Sequence, residues 1–176
     1  MKRIAIVGTV CGERSVLTNA LSAATGLRLI PCLPYSDVAA RYKLDTDISD
    51  CYWPDSFEYC LGAFTQRIIS EQKSGDSFIS EGGVFDEITW LMCSFPHIEL
   101  IYQKPIIKIL EHIIVDYASK EYDFIFHVAS ADLSDLRSQC LKRLFICRNI
   151  KYYIIDTTDK EGALNKMLQC LGDVKK

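Results

Sequence analysis

The chain has 176 residues, a length that fits one compact domain and leaves no room for two of typical size. Hydrophobic residues make up 49% and charged residues 24%, which excludes the apolar-poor, charge-rich composition of a disordered chain. The 20 Lys and Arg against 23 Asp and Glu give a formal charge of -3, so the overall field does not gather polyanions and a nonspecific nucleic-acid binder is disfavoured.

In chain order, a buried strand over residues 3–7 leads, and the turn at Gly8 passes into a helix over 14–24. A strand at 27–30 and helices over 36–43 and 55–73 follow. In the second of these helices Phe57, Cys60, Leu61, Phe64 and Ile68 recur at helical spacing. A strand at 77–80, helices over 85–95 and 98–120, a strand at 122–128 and a helix over 133–147 come next. The strand at 151–155 and a helix over 159–171, capped by Thr158 or Asp159, complete the order. The strands are nearly unbroken in apolarity, so both of their faces are covered. Alternation of strand and helix predicts a single α/β domain over residues 1–176, a three-layer sandwich with a mostly parallel sheet of about five strands.

Nothing in this order predicts a membrane segment. The apolar run at 4–7 is too short for a signal peptide, and the stretch 98–117 is interrupted by Glu99, Gln103, Lys104, Lys108, Glu111 and Asp116. The eight cysteines, at 11, 32, 51, 60, 93, 140, 147 and 170, form no CxxC pair and read as reduced thiols of a cytoplasmic protein. His97, His112 and His127 do not stand at metal-ligand spacings with them.

Ligands of such sheets bind at the carboxyl ends of the strands, so the first turn carries the most information. It reads Gly8-Thr9-Val10-Cys11-Gly12-Glu13-Arg14-Ser15. Against the phosphate-loop pattern G-x-x-x-x-G-K-[ST], Gly8 and Ser15 match, Arg14 stands at the Lys position and Glu13 at the second Gly, a degenerate Walker A sequence. Strand, tight loop and helix N-terminus are the parts that surround a phosphate with backbone N–H groups.

On these residues the chain resembles the P-loop NTPase fold, and within it the small nucleoside and nucleotide kinases of the AAA-type ATPase-like group related to nicotinamide riboside and deoxynucleoside kinases. A second resemblance lies at Phe78-Ile79-Ser80-Glu81-Gly82-Gly83-Val84-Phe85-Asp86. There Glu81 matches the acid that ends the group's strand, and Gly82 replaces its usual Arg. The resemblance implies that the strand over 3–7 is central, between those starting near Ser77 and Tyr122. It implies ATP and Mg²⁺ as cofactors, a nucleotide and a small-molecule acceptor as partners, and room for a homodimer, with no role for nucleic acid or membrane.

Residue by residue, Gly8 through Ser15 would hold the phosphates, with Arg14 supplying charge and the Ser15 hydroxyl meeting Mg²⁺. Glu13 costs affinity for a triphosphate unless it turns outward or pairs with Arg14. The same loop also reads as a plain strand-to-helix turn, with Glu13 favourably placed against the helix dipole. Glu81 would take the proton of an attacking hydroxyl or position Mg²⁺, or is a strand-end carboxylate in solvent. Gln66 and Arg67 would grip a base or sugar, or form a surface pair. Arg137, Lys142 and Arg143 would close over the phosphates as a lid, or form a solvated face. Two classes stay open: an ATP-dependent phosphotransferase of nucleoside or nucleotide kinase type, and a noncatalytic P-loop-fold protein that binds nucleotide weakly or a protein partner. Glu13, Arg14 and Gly82 are the residues that argue for the second.

Overall fold

The computed structural model describes residues 2–8, 12–33, 35–42, 53–94, 103–129 and 135–172. Their order is β1 (Arg3–Gly8), α1 (Gly12–Thr25), β2 (Arg28–Ile30), α2 (Tyr35–Tyr42), α3 (Trp53–Lys73), β3 (Phe78–Glu81), α4 (Phe85–Ser94), α5 (Gln103–Glu121), β4 (Phe124–Ala129), α6 (Leu136–Cys147), β5 (Tyr153–Asp156) and α7 (Lys160–Gly172). The strands form one sheet in the order β2-β3-β1-β4-β5. Every pairing is parallel, with Ile4 opposite Ile79 on one side and Phe124 on the other. The expected central strand is therefore central, between the two strands expected to flank it.

Period-two alternation sorts β1 between two cores. Ile4 and Ile6 join Phe124, Phe126 and Val128 under α1 and α7, where Leu17, Leu21, Met167 and Leu171 cover them. Ala5 and Val7 face the opposite way, onto Phe64 of α3, Phe85 and Ile88 of α4, Ile114 of α5 and Phe145 of α6. Helices on both faces of a parallel sheet make the expected three layers. Among the described residues no helix is long and apolar enough to cross a membrane.

Several boundaries move for identifiable reasons. α6 begins later than the apolar pattern suggested because Asp135 caps it, its carboxylate accepting from the N–H groups of Arg137 and Ser138. Tyr122 closes α5 instead of opening β4, since its N–H donates to the Ala118 carbonyl at 3.0 Å. On α3, Cys60 and Phe64 are buried as expected, whereas Leu61 is 44% exposed and belongs to the outer face. Residues 43, 95, 98–102, 133 and 134, included in the expected helices, lie outside the described residues.

Candidate functional site at the carboxyl ends of β1 and β3

β1 ends at Gly8 and α1 begins at Gly12, so the chain turns from sheet to helix within three residues. Gly8 has φ +125°, and a Cβ there would collide with the Val128 carbonyl oxygen of β4. Only glycine allows that approach. Thr9, Val10 and Cys11 lie outside the described residues, so the loop is defined by its two ends. Glu13, Arg14 and Ser15 occupy the first turn of α1, where unpaired amides and the helix dipole favour an anion.

Arg14 is 1% exposed, and its guanidinium folds back across the end of the sheet. Nη1 donates to the Gly8 carbonyl at 3.2 Å and to Asp86 Oδ2 at 2.5 Å, and Nε lies 3.8 Å from Glu81 Oε1. Burial works against its charge, yet Asp86, Cys32 and Glu81 together hold its pKa above the ordinary arginine value. The Asp86 carboxyl is raised by burial, and Arg14 opposes the rise. The Ser15 hydroxyl donates to Glu81 Oε1, while Glu81 Oε2 accepts from the Cys32 amide at 3.3 Å. Glu13 Oε2 accepts from the Thr157 hydroxyl at 2.7 Å, which carries this carboxylate toward the carboxyl end of β5.

Gly82, which stands where the resemblance expects an Arg, has a structural use of its own. At φ +91° its Cβ would stand 2.5 Å from Asp86 Oδ2 and 3.6 Å from Arg14 Nη2. The missing side chain makes room for the Arg14–Asp86 pair. Ser15 and Glu81 set a hydroxyl and a carboxylate side by side, two hard oxygen donors of the kind Mg²⁺ takes, so these residues fit that ion.

A second buried polar group lies behind β3. Arg67 is fully buried, not on the surface; its Nη1 donates to the Pro31 carbonyl at 2.9 Å and to Ser80 Oγ at 3.4 Å. Ser80 donates to Glu71 Oε1 at 2.5 Å, and Tyr122 and Tyr117 donate to the two Glu71 oxygens at 2.8 and 2.9 Å. The Tyr122 oxygen also accepts the Val84 amide at 3.1 Å, tying α3 and α5 to the turn after Glu81. Arg67 Nη2 and Glu87 Oε2 have no hydrogen-bond partner among the described residues. Burial pushes the Glu87 carboxyl up to about 7, with Arg67 pulling it down.

The other sequence candidates separate. Gln66, next to Arg67, accepts from Arg41 on α2. Arg137 is half-buried and acts electrostatically on Asp86; Lys142 is half-buried and acts on His127; Arg143 is exposed. Only Arg137 of the three is thus tied to the acids of this site. Sequence reading missed Asp86, Glu87 and Glu71 as partners. Asp86 and Glu87 give the favourable signal of acids in the first turn of α4, which also suits a solvated helix start. His127 was likewise missed: it is fully buried on β4, meets Ser138 of α6 at 3.1 Å through Nε2, and is lowered by burial to about 4.

No protein-family model matches the sequence, and no curated protein is significantly similar to it. Solved structures do match. Deoxyadenosine kinase from M. mycoides with bound dATP superposes with a TM-score of 0.65 at 14% identity, over 97% of this chain and 99% of that one. Thymidylate kinase from Candida albicans gives 0.63 at 12% identity, over 99% and 92%. Shikimate kinase from Bacteroides thetaiotaomicron gives 0.52 at 7% identity, over 97% and 98%. The parallel sheet with central β1, the glycine-ended first strand and these superpositions together give the chain the P-loop nucleoside/nucleotide kinase fold.

Proposed function

We propose that the chain is an ATP-dependent phosphotransferase of nucleoside or nucleotide kinase type, acting in the cytoplasm as a single domain on a small hydroxyl or phosphate acceptor. The observation that carries this reading is the buried pair Arg67 and Glu87, each with an unpaired polar atom near the carboxyl end of β3. A buried polar atom without a partner is costly, and a ligand relieves that cost. Arg67 Nη2 offers a donor. Glu87, with its pKa near neutrality, accepts or donates according to its proton, so the pair suits an acceptor that presents both kinds of group, as a nucleobase edge does.

On this reading the first turn of α1, with Gly8 through Gly12, holds the nucleotide phosphates. Glu81 Oε1 receives the proton of the acceptor hydroxyl when Ser15 releases it. Arg14 sets a buried positive charge 3.8 Å from Glu81 Oε1, beside the place where charge develops in the transfer. Mg²⁺ held at the Ser15 hydroxyl would supply charge neutralisation on the phosphates. Arg137 on α6 adds a positive charge that acts on Asp86. The rival reading, a noncatalytic binder, draws on one observation: Arg14 is committed to Asp86 and Gly8 instead of projecting into the loop.

Thermal denaturation with and without Mg-ATP, followed by a panel of nucleosides and nucleoside monophosphates, separates the two. At about ten times Kd, Mg-ATP adds roughly 1.4 kcal/mol, a Tm rise of roughly 3–6 °C. A cognate acceptor should add a further rise that Glu87→Gln weakens, and should stimulate release of ADP. Mg-ATP binding without turnover on any acceptor supports the rival; absence of a shift at millimolar Mg-ATP overturns the phosphotransferase reading and favours the rival in its protein-binding form.

A further inference from the structure

Cys93 of α4 and Cys140 of α6 lie 47 positions apart in sequence, and their sulfurs stand 3.6 Å apart where the two helices meet. Both carry free thiols and both are partly exposed to solvent. Cys93 stands in the last turns of the helix whose first turn holds Asp86 and Glu87. Cys140 stands three residues past Arg137, on the helix that Asp135 caps. Arg137 and Asp135 both act electrostatically on Cys93, so the thiol contact and the α6 N-terminus share one environment.

We infer that Cys93 and Cys140 are a redox-sensitive pair whose disulfide locks α6 onto α4. Bringing the sulfurs from 3.6 Å to a bond of about 2.05 Å takes roughly 1.5 Å, which small side-chain rotations supply. The reaction needs a two-electron oxidant, and a low-molecular-weight disulfide such as glutathione disulfide is the class that fits. One cysteine thiolate attacks a glutathione sulfur, forms a mixed disulfide and releases one glutathione. The second thiolate then attacks the protein sulfur of that mixed disulfide and releases the other glutathione. The two protein protons end on the two glutathione thiols, and the protein loses two electrons.

Burial and the Cys140 contact push the Cys93 thiol up to about 12, which keeps it protonated at neutral pH. The thiolate fraction that attacks is therefore small, so closure is slow and needs a sustained oxidative load. The disulfide ties the helix carrying Arg137 to the helix carrying Asp86. Where the phosphotransferase reading above holds, oxidation restrains Arg137 and lowers turnover.

The test is incubation of the whole protein with glutathione disulfide, followed by intact mass, peptide mapping and thermal denaturation. The expected result is a loss of 2 Da assigned to a Cys93–Cys140 peptide pair, with a Tm rise of roughly 5–10 °C reversed by dithiothreitol. Cys93→Ser and Cys140→Ser should each abolish both changes while leaving the reduced protein folded. A bridge mapped to any other cysteines, stable glutathionylation without closure, or no mass loss overturns the inference. These readouts need no catalytic activity, so absence of turnover in the reduced protein counts against the functional reading alone.

Discussion

A guanidinium removed from water needs its charge matched inside the fold, and Arg14 finds that match in Asp86 at 2.5 Å, with Glu81 behind it. Removing one member of such a pair leaves the other buried and uncompensated. Asp86→Ala should destabilise by about 3–5 kcal/mol in chemical denaturation, and Asp86→Asn by less because the amide oxygen still accepts from Nη1. Equal stability of Asp86→Ala and the parent would show that solvent reaches Arg14. Glu87 and His127 oppose each other as pH changes. Glu87 is raised from 4.5 to about 7, so its contribution is complete below pH 4.5 and is lost as pH rises through 7. His127 is lowered from 6.5 to about 4, so its contribution is complete above pH 6.5 and is lost as pH falls through 4. Between pH 4.5 and 6.5 the two slopes have opposite signs. In Glu87→Gln only the His127 slope is left of the two, so the stability of the variant relative to the parent should grow by about 3 kcal/mol from pH 4 to pH 8. A constant difference across that range would contradict the buried assignment of Glu87.

At the scale of elements, the helices around β3 are fastened through side chains and not only through apolar contact. Glu71 on α3 collects hydroxyls from β3, α5 and the residue after α5, and Tyr122 passes the connection on to the Val84 amide. Tyr122→Phe keeps the ring that packs on Phe85 and deletes only the hydroxyl. It takes the side-chain partner of the Val84 N–H and leaves Glu71 Oε1 with Ser80 alone, for a cost of about 1–3 kcal/mol by urea denaturation. A neutral outcome would mean that water takes over both bonds. The same network explains the turn at Gly82 and Gly83, whose positive φ angles lead the chain from Glu81 into α4 and set Asp86 against Arg14.

For the whole molecule, the sheet order determines where opening begins. β1 is paired on both sides by β3 and β4, and Ile4, Ala5, Ile6 and Val7 have no exposure. β5 is an edge strand paired only with β4, and its Ile154 is 46% exposed. Native-state hydrogen exchange should therefore find the β1 amides exchanging only through global unfolding, and β5 with α7 through a smaller opening. Protection of β5 equal to that of β1 would refute this order.

Local pattern was sufficient for the alternation of strands and helices, because continuous apolar runs and helical spacing report directly which faces leave water. The strands at 3–7 and 77–80 and the helix over 159–171 lie within a residue or two of the observed elements for that reason. The glycine that ends β1 and the acid that ends β3 were also legible, since each follows a buried strand. The buried polar network could not be read in this way. Arg67, Glu71 and Glu87 look like surface residues in any local window, and their burial depends on partners supplied by other elements. Arg14 meets Asp86 across 72 positions, and Tyr122 meets Glu71 across 51. Hydrophobic periodicity identifies the faces that pack, whereas a charge enters the interior only where the tertiary structure brings its counter-charge or hydrogen-bond partner to meet it.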